Sequence, residues 1–261
     1  MSDATNSFLL QPDMTLSGLT RSVQGFDQNG DVTDINVVEE RPLTIFLNGQ
    51  EIVTAMTIGD YPQYLALGFL KNQGMLSVDE SVLGIDYDDE LETVVVRTDG
   101  QTLYEEKLKK KTRTSGLDGL ELPTAALRTS WLYSLSNIIN QTPSLYLNAG
   151  AIHGTVLCQQ DKPLVYMEDV GRHNAVDKIA GWMHLNNATP DDKILYTTGR
   201  LTSEMVIKCA LMGIPILASR SGFTAWGVEI ANQVGLTLIG RLRGQRFMCL
   251  SGRDRVVYDA K

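Results

Sequence analysis

Between Glu168 and Lys178 the chain reads EDVGRHNAVDK, which sets two carboxylates, a turn glycine, an arginine, a histidine and an Asp–Lys pair in one short stretch. Leu164 to Met167 ahead of it read as a buried strand, Gly171 as a tight turn, and Arg172 onward as a helix whose packing positions are Val176, Ile179, Ala180 and Met183. Arg172 and His173 therefore stand at a helix N-terminus, where free backbone N–H groups favour an anion. His173 shares a helix face with Asp177, and Asn174 shares one with Lys178. That polar face either organises a ligand with Asp169 and Arg172 or is a capped helix carrying solvated ion pairs.

The same grammar recurs twice. Lys193 to Thr197 is an apolar strand, Thr198-Gly199-Arg200 a loop, and LTSEMVIKCALMG a helix stopping at Gly213. Pro215 to Ser219 is the next strand, Arg220-Ser221-Gly222 its loop, Phe223 to Val234 a helix, and Leu236 to Gly240 a further strand followed by Arg241, Leu242 and Arg243. Strands alternating with helices of this length predict a parallel sheet, whose ligands bind along the edge formed by the strands' carboxyl ends. Arg172, Arg200, Arg220, Arg241, Arg243 and Arg246 all fall near that edge. Guanidinium groups beside glycine-rich turns suit phosphate or pyrophosphate. Each arginine alone reads as a surface residue; their shared topological position is what points to a ligand.

EDVGRHNAVDK, then GRLTSEMVIK from Gly199, then LTLIGRLRGQR from Leu236, resemble in order and spacing the formate dehydrogenase accessory sulfurtransferase family, FdhD. RPLTIFLNGQ from Arg41 and LYLNAGAIHG from Leu145, which carries His153, extend the likeness from about residue 40 to the end. The resemblance implies an α/β protein with a cytidine-deaminase-like main domain over 124–261 and a smaller N-terminal β-rich lobe over 41–123; the residues before it, 1–40, are polar and patternless and read as an arm. It implies a cytoplasmic homodimer that carries sulfur from a cysteine desulfurase to the molybdenum bis(molybdopterin guanine dinucleotide) cofactor of formate dehydrogenase. It sets the cofactor-contacting stretch on Arg241, Leu242, Arg243, Gly244, Gln245 and Arg246, which Asp169, Arg172, His173, Gly199, Arg200 and His153 join from the junctions above.

The family's sulfur-handling loop reads CGxCG, and the matching stretch here is Ser115-Gly116-Leu117-Asp118-Gly119. Its persulfide positions fall on Ser115 and Asp118, and neither a hydroxyl nor a carboxylate forms a persulfide. Three readings stay open: a sulfurtransferase working by another route, a binding module that delivers or protects the cofactor without chemistry, and a nucleotide-binding protein of another pathway. The three cysteines, Cys158, Cys209 and Cys249, lie in apolar runs and read as buried thiols.

A zinc deaminase needs an H-x-E element and a P-C-x-x-C pair, and both are absent, so no zinc is expected. A Walker loop and a G-x-S-x-G elbow are missing too. His153 is either a cleft group or a satisfied structural histidine. The net charge of −8 opposes a nucleic-acid backbone, and no run approaches a membrane helix in length. Unpatterned cysteines fit a reducing cytoplasm. Upstream, Asn48-Gly49 marks a hairpin between Leu43–Leu47 and Glu51–Thr57, Asp60 is placed to cap a helix over Tyr64 to Phe69, and Asp99-Gly100 suggests a hairpin between Val94–Arg97 and Leu103–Glu106. KLKKKTR, from Lys107, either guides an acidic partner or the anionic cofactor or is a solvated strand end. Thr124 is expected to cap a helix with Leu127, Trp131, Leu135 and Ile138 on one stripe.

Overall fold

The computed structural model describes residues 8–76, 80–100 and 116–260. Its smaller sheet is built on β3 (Arg41–Leu47) and β4 (Gln50–Thr57), joined at the expected turn, where Asn48 takes a left-handed φ of 54°. β5 (Val82–Asp88) and β6 (Thr93–Thr98) complete the order β4-β3-β6-β5, with β3 and β6 parallel. The strand expected at Val94–Arg97 thus exists but pairs with β3 and β5; its expected partner at Leu103–Glu106 lies outside the described residues. Helix α1 (Pro62–Asn72) covers this sheet with Leu65, Leu67 and Leu70, against Ile45, Leu47, Val94 and Val96. Its cap is not Asp60. The chain enters through Tyr61 at φ 49° with no side-chain cap, because the Asp60 carboxylate is engaged elsewhere.

The larger sheet holds β8 (His153–Gln159), β9 (Lys162–Asp169), β10 (Lys193–Thr197), β11 (Ile216–Ser219), β12 (Thr237–Arg243) and β13 (Arg246–Ser251), in the order β13-β12-β11-β10-β8-β9. It is mixed, not parallel throughout: β10, β11 and β12 are parallel neighbours, while β8 runs against β9 and β10 and β13 runs against β12. Period-2 alternation feeds two cores. Leu157, Val165, Leu195, Leu217 and Leu238 pack beneath α4 (Arg172–Leu185), α5 (Ser203–Leu211) and α6 (Ala225–Gln233). Val156, Tyr166, Ile194, Tyr196 and Ile216 face α2 (Thr129–Gln141).

Helix α2 starts five residues after Thr124, with Arg128 at its cap, because Leu127 belongs to the short strand β7 (Leu127–Arg128), paired in parallel with β14 (Val256–Val257). The buried stripe is accordingly Leu132, Leu135 and Ile139. Within the segment expected as a polar arm, β1 (Thr20–Phe26) and β2 (Val32–Val38) form an antiparallel hairpin, mostly exposed on both faces and therefore without hydrophobic alternation. Ahead of it, the Leu9 N–H donates to the Leu164 carbonyl at 2.8 Å and Tyr166 N–H to that of Leu10 at 2.9 Å, so residues of the amino-terminal stretch cover the β9 edge.

The two sheets meet through α1 and α4. A β-carbon added at Gly68 would stand 1.7 Å from the Asp177 carbonyl oxygen, and one at Gly181 would stand 2.0 Å from that of Tyr64. Only glycine allows backbone to touch backbone there.

Candidate functional site

The strands of the larger sheet deliver their loops to one edge, and side-chain hydroxyls tie those loops together. Thr197 and Ser219 end β10 and β11 fully buried. The Thr198 N–H donates to the Gly154 carbonyl at 2.9 Å, and Gly154 N–H donates to Thr198 Oγ1 at 3.0 Å. Ser219 Oγ donates to the Gly199 carbonyl at 2.7 Å and accepts from Ser221 N–H at 2.9 Å. Arg241 N–H then donates to the Ser221 carbonyl at 2.7 Å. Neighbouring loops are thus fixed to each other along the edge.

His153 opens β8 at this edge. Burial pushes its pKa below the ordinary histidine value, and the charges of Arg172, Arg200 and Arg220 push the same way. Three of the arginines singled out by their loops thus act on one imidazole through their charge. The Arg172 side chain lies against Gly199, where an added β-carbon would stand 3.1 Å from its Cβ and Cδ. Two polar atoms here are buried without a hydrogen-bond partner, Arg172 Nε and Thr202 Oγ1. Thr202 is the N-cap of α5 yet its hydroxyl caps nothing. Buried donors left open beside a helix N-terminus, among three guanidinium groups, have the chemistry of a phosphate or pyrophosphate cradle. The Arg220 guanidinium also stacks 4.7 Å from the ring centroid of Tyr146, in the short helix α3 (Leu145–Ala149).

His173 takes another position. Its Nε2 lies 3.3 Å from Glu204 Oε2, and burial, with Lys208 and Arg172, holds its pKa down to about 4. It is neutral at pH 7 and accepts or donates as an imidazole.

The carboxylates and lysine of EDVGRHNAVDK point inward, and the reading of solvated ion pairs fails for them. Asp169 is fully buried: its Oδ2 accepts from Thr57 Oγ1 at 2.5 Å and lies 2.6 Å from Lys178 Nζ, while its Oδ1 accepts from Gly171 N–H at 3.0 Å and Asn174 Nδ2 at 2.9 Å. Lys178 pairs with Asp60 as well. Burial alone would lower the Lys178 pKa, but the two carboxylates outweigh it and raise it; burial raises that of Asp60. Next to Lys178 in sequence, Asp177 accepts from Asn72 Nδ2 at 2.7 Å and pairs with Lys208 at 2.6 Å. Thr57, Asp60 and Asn72 come from the smaller sheet, the loop after it and α1, so these groups tie that part of the chain to β9, α4 and α5. Sequence separations above 100 residues hide such partners from any local pattern.

The stretch Arg241 to Arg246 forms the end of β12, a turn through Gly244 at φ 57°, and the start of β13. It is a β-hairpin. Arg241, Arg243, Gly244, Gln245 and Arg246 are exposed, whereas the Leu242 side chain is buried with Leu127 and Val256 in the core beneath α2. Ser115 lies outside the described residues, as does the basic run at 107–113. Gly116 sits against Leu211, at the last residue of α5, so residues 116–119 adjoin the edge opposite to the arginines, and Asp118 is exposed. Cys158 and Cys209 are fully buried and burial raises both thiol pKa values; Cys249 is half-buried and raised for the same reason. Among the described residues no group of three His, Cys, Asp or Glu side chains is arranged to hold a metal ion, and no helix is long and apolar enough to cross a membrane.

Comparison with known proteins places this architecture. The chain is 28% identical to a protein named sulfur carrier protein FdhD from Bacillus subtilis (strain 168), over 90% of this chain and 96% of that protein. It is 29% identical to the protein of the same name from Wolinella succinogenes, over 84% of this chain and 82% of the other. The crystal structure of a protein described as a candidate formate dehydrogenase accessory protein from Desulfotalea psychrophila superposes with a TM-score of 0.77 at 29% identity, covering 91% of this chain and 98% of that one. The profile of the FdhD/NarQ family matches residues 38–257, and the chain belongs to that family.

Proposed function

We propose that this protein serves the maturation of formate dehydrogenase by holding the molybdenum bis(molybdopterin guanine dinucleotide) cofactor as cargo, and that it delivers or protects that cofactor without a thiol relay of its own. The observation that carries the reading is the set of arginines at one sheet edge, Arg172, Arg200 and Arg220, whose charges all act on His153, together with the unbonded Arg172 Nε at the start of α4 and Thr202 Oγ1 at the start of α5. A pyrophosphate suits three positive charges at one edge, which a neutral ligand does not. Arg241, Arg243 and Arg246, on the neighbouring hairpin, extend the same positive edge toward a second nucleotide half.

The names of the relatives support a role in sulfur handling for the family as a whole. In this chain the persulfide positions are Ser115 and Asp118, and two of the three thiols are sealed in apolar cores, which supports the binding module over the sulfurtransferase. The family resemblance is what supports a cytoplasmic homodimer, a cysteine desulfurase as an upstream partner, and a cytidine-deaminase-like description of the larger sheet and its helices. Titration calorimetry with guanosine diphosphate and adenosine diphosphate tests the cargo. Guanine should bind in the micromolar range or more weakly and be preferred; no binding, or preference for adenine, sinks the reading.

A further inference from the structure

We propose that Glu168 is a positioning residue for the anion site, acting on Arg220 through the helix Leu145–Ala149 and the Tyr146 ring. Glu168 is 1% exposed, in β9, opposite Gly154 of β8. Its Oε2 accepts from the Leu145 N–H at 2.7 Å and its Oε1 from the Tyr146 N–H at 3.3 Å, so one carboxylate fixes the first two amides of α3. Tyr146 carries the Arg220 guanidinium on its ring, and Arg220 is one of the three cations whose charge acts on His153. Helix α3 has five residues and cannot hold its own place by internal hydrogen bonds. The carboxylate is the strut between the sheet and the Tyr146 platform.

Charge on the strut matters because an ionised carboxylate accepts both amides, whereas a protonated one turns an acceptor site into a donor that faces them. Burial raises the Glu168 pKa to about 7, against the two amides that lower it. The groups facing it are few. Tyr166 Oη lies 3.5 Å away on the same strand, Asp60 adds a raising charge from the loop before α1, and Lys178 Nζ bonds the Glu168 backbone carbonyl from α4 at 2.9 Å. His153 precedes its partner on β8, Asp169 follows it on β9 with its own carboxylate tied to Lys178, and Arg220 lies beyond Tyr146. The ordinary pH range therefore spans both states of the strut.

This inference rests on the anion-site reading and is tested so that the two can fail separately. Di(guanosine-5′) pyrophosphate, whose phosphodiesters do not titrate between pH 6 and 8, is titrated calorimetrically into the full chain and its Glu168→Gln and Tyr146→Ala variants at both ends of that range. Wild type should bind about fivefold tighter at the alkaline end, and both variants should bind with no pH dependence, near the wild-type acid value. Simple repulsion between Glu168 and the ligand gives the opposite sign, tighter binding in acid, and overturns the proposal; so does a pH profile that survives in Glu168→Gln. If wild type binds nothing at either pH, the anion-site reading fails instead. Hydrogen exchange without ligand then decides the strut: protection of the Leu145 and Tyr146 amides, corrected for intrinsic rates, should fall in acid for wild type and be constant in Glu168→Gln, and equal behaviour of the two proteins rejects it.

Discussion

Ser219 Oγ donates 2.7 Å to the carbonyl of Gly199, and so binds the loop that carries Arg220 to the loop that carries Arg200. Without that hydroxyl the Gly199 carbonyl is buried and unpaired, and Ser221 N–H loses its acceptor. Ser219→Ala should cost about 1–3 kcal/mol of stability. It should also weaken guanosine diphosphate binding, because two cations lose their fixed spacing. Urea unfolding and calorimetry on the same preparation check both effects, and unchanged binding in a destabilised variant separates the loops from the ligand.

Removing one arginine should be visible at His153. Arg220→Ala takes away a positive neighbour, so the imidazole pKa should rise toward the ordinary histidine value, as followed by NMR titration of the ring protons. Ligand affinity should fall by about 1.5–3 kcal/mol, as expected for a charge-assisted hydrogen bond, and by a similar amount in Arg243→Ala if the hairpin reaches the ligand. A His153 titration unmoved by Arg220→Ala would break the cluster apart.

Glu168 gives the folding equilibrium a pH dependence of known sign. Its folded pKa, about 7, lies above the unfolded carboxylate value of 4.5, so the folded state takes up a proton in that window. The stability it contributes is full below pH 4.5 and is lost as pH rises through 7. Glu168→Gln should flatten the curve of unfolding free energy against pH between those values by up to about 1.4 kcal/mol per pH unit. Denaturation midpoints measured across the window provide the check.

Gly68→Ala and Gly181→Ala invert the usual helix preference. Alanine normally gains about 1 kcal/mol over glycine inside a helix. Here the added carbon meets a backbone carbonyl at 1.7 or 2.0 Å, and the lobes must separate to admit it, at a cost of about 1–3 kcal/mol or more. Melting temperatures below wild type are expected for both.

Thiol chemistry should be slow in the native protein. Cys158 and Cys209 should resist thiol reagents until the chain is unfolded, with Cys249 the first to react. Incubation with a cysteine desulfurase, cysteine and a labelled sulfur source should leave no reducible label, and stoichiometric persulfide on any cysteine would restore a sulfur relay. Ser115→Cys with Asp118→Cys should create labelling if the loop keeps the family's geometry.

Where neighbours in sequence are neighbours in space, the chain was readable. The strand Lys193–Thr197 falls on its expected residues, and Gly213 and Gly235 stop their helices at positive φ. Reading stopped where the partner is distant. Leu127 belongs to a strand only because Val256 lies beside it, and β6 pairs in parallel with β3, far back along the chain. In the site, the loop arginines were legible from topology. Asp177 and Lys178 read as part of a polar face turned to a ligand or to solvent, and are dry because α1, Asp60 and Lys208 close over them. Tyr146 and Thr202 carried no local mark, since one acts as a platform for Arg220 and the other by what it leaves unbonded.

The cover on the β9 edge has a consequence for the order of assembly. Leu9 and Leu10 leave the ribosome about 150 residues before Leu164 and Tyr166, to which they bond, and so wait unpaired through the synthesis of the whole smaller lobe. The segment made early is among the last to find its place on the larger sheet. During synthesis the bare edge is the newest piece of chain, and its cover is already waiting.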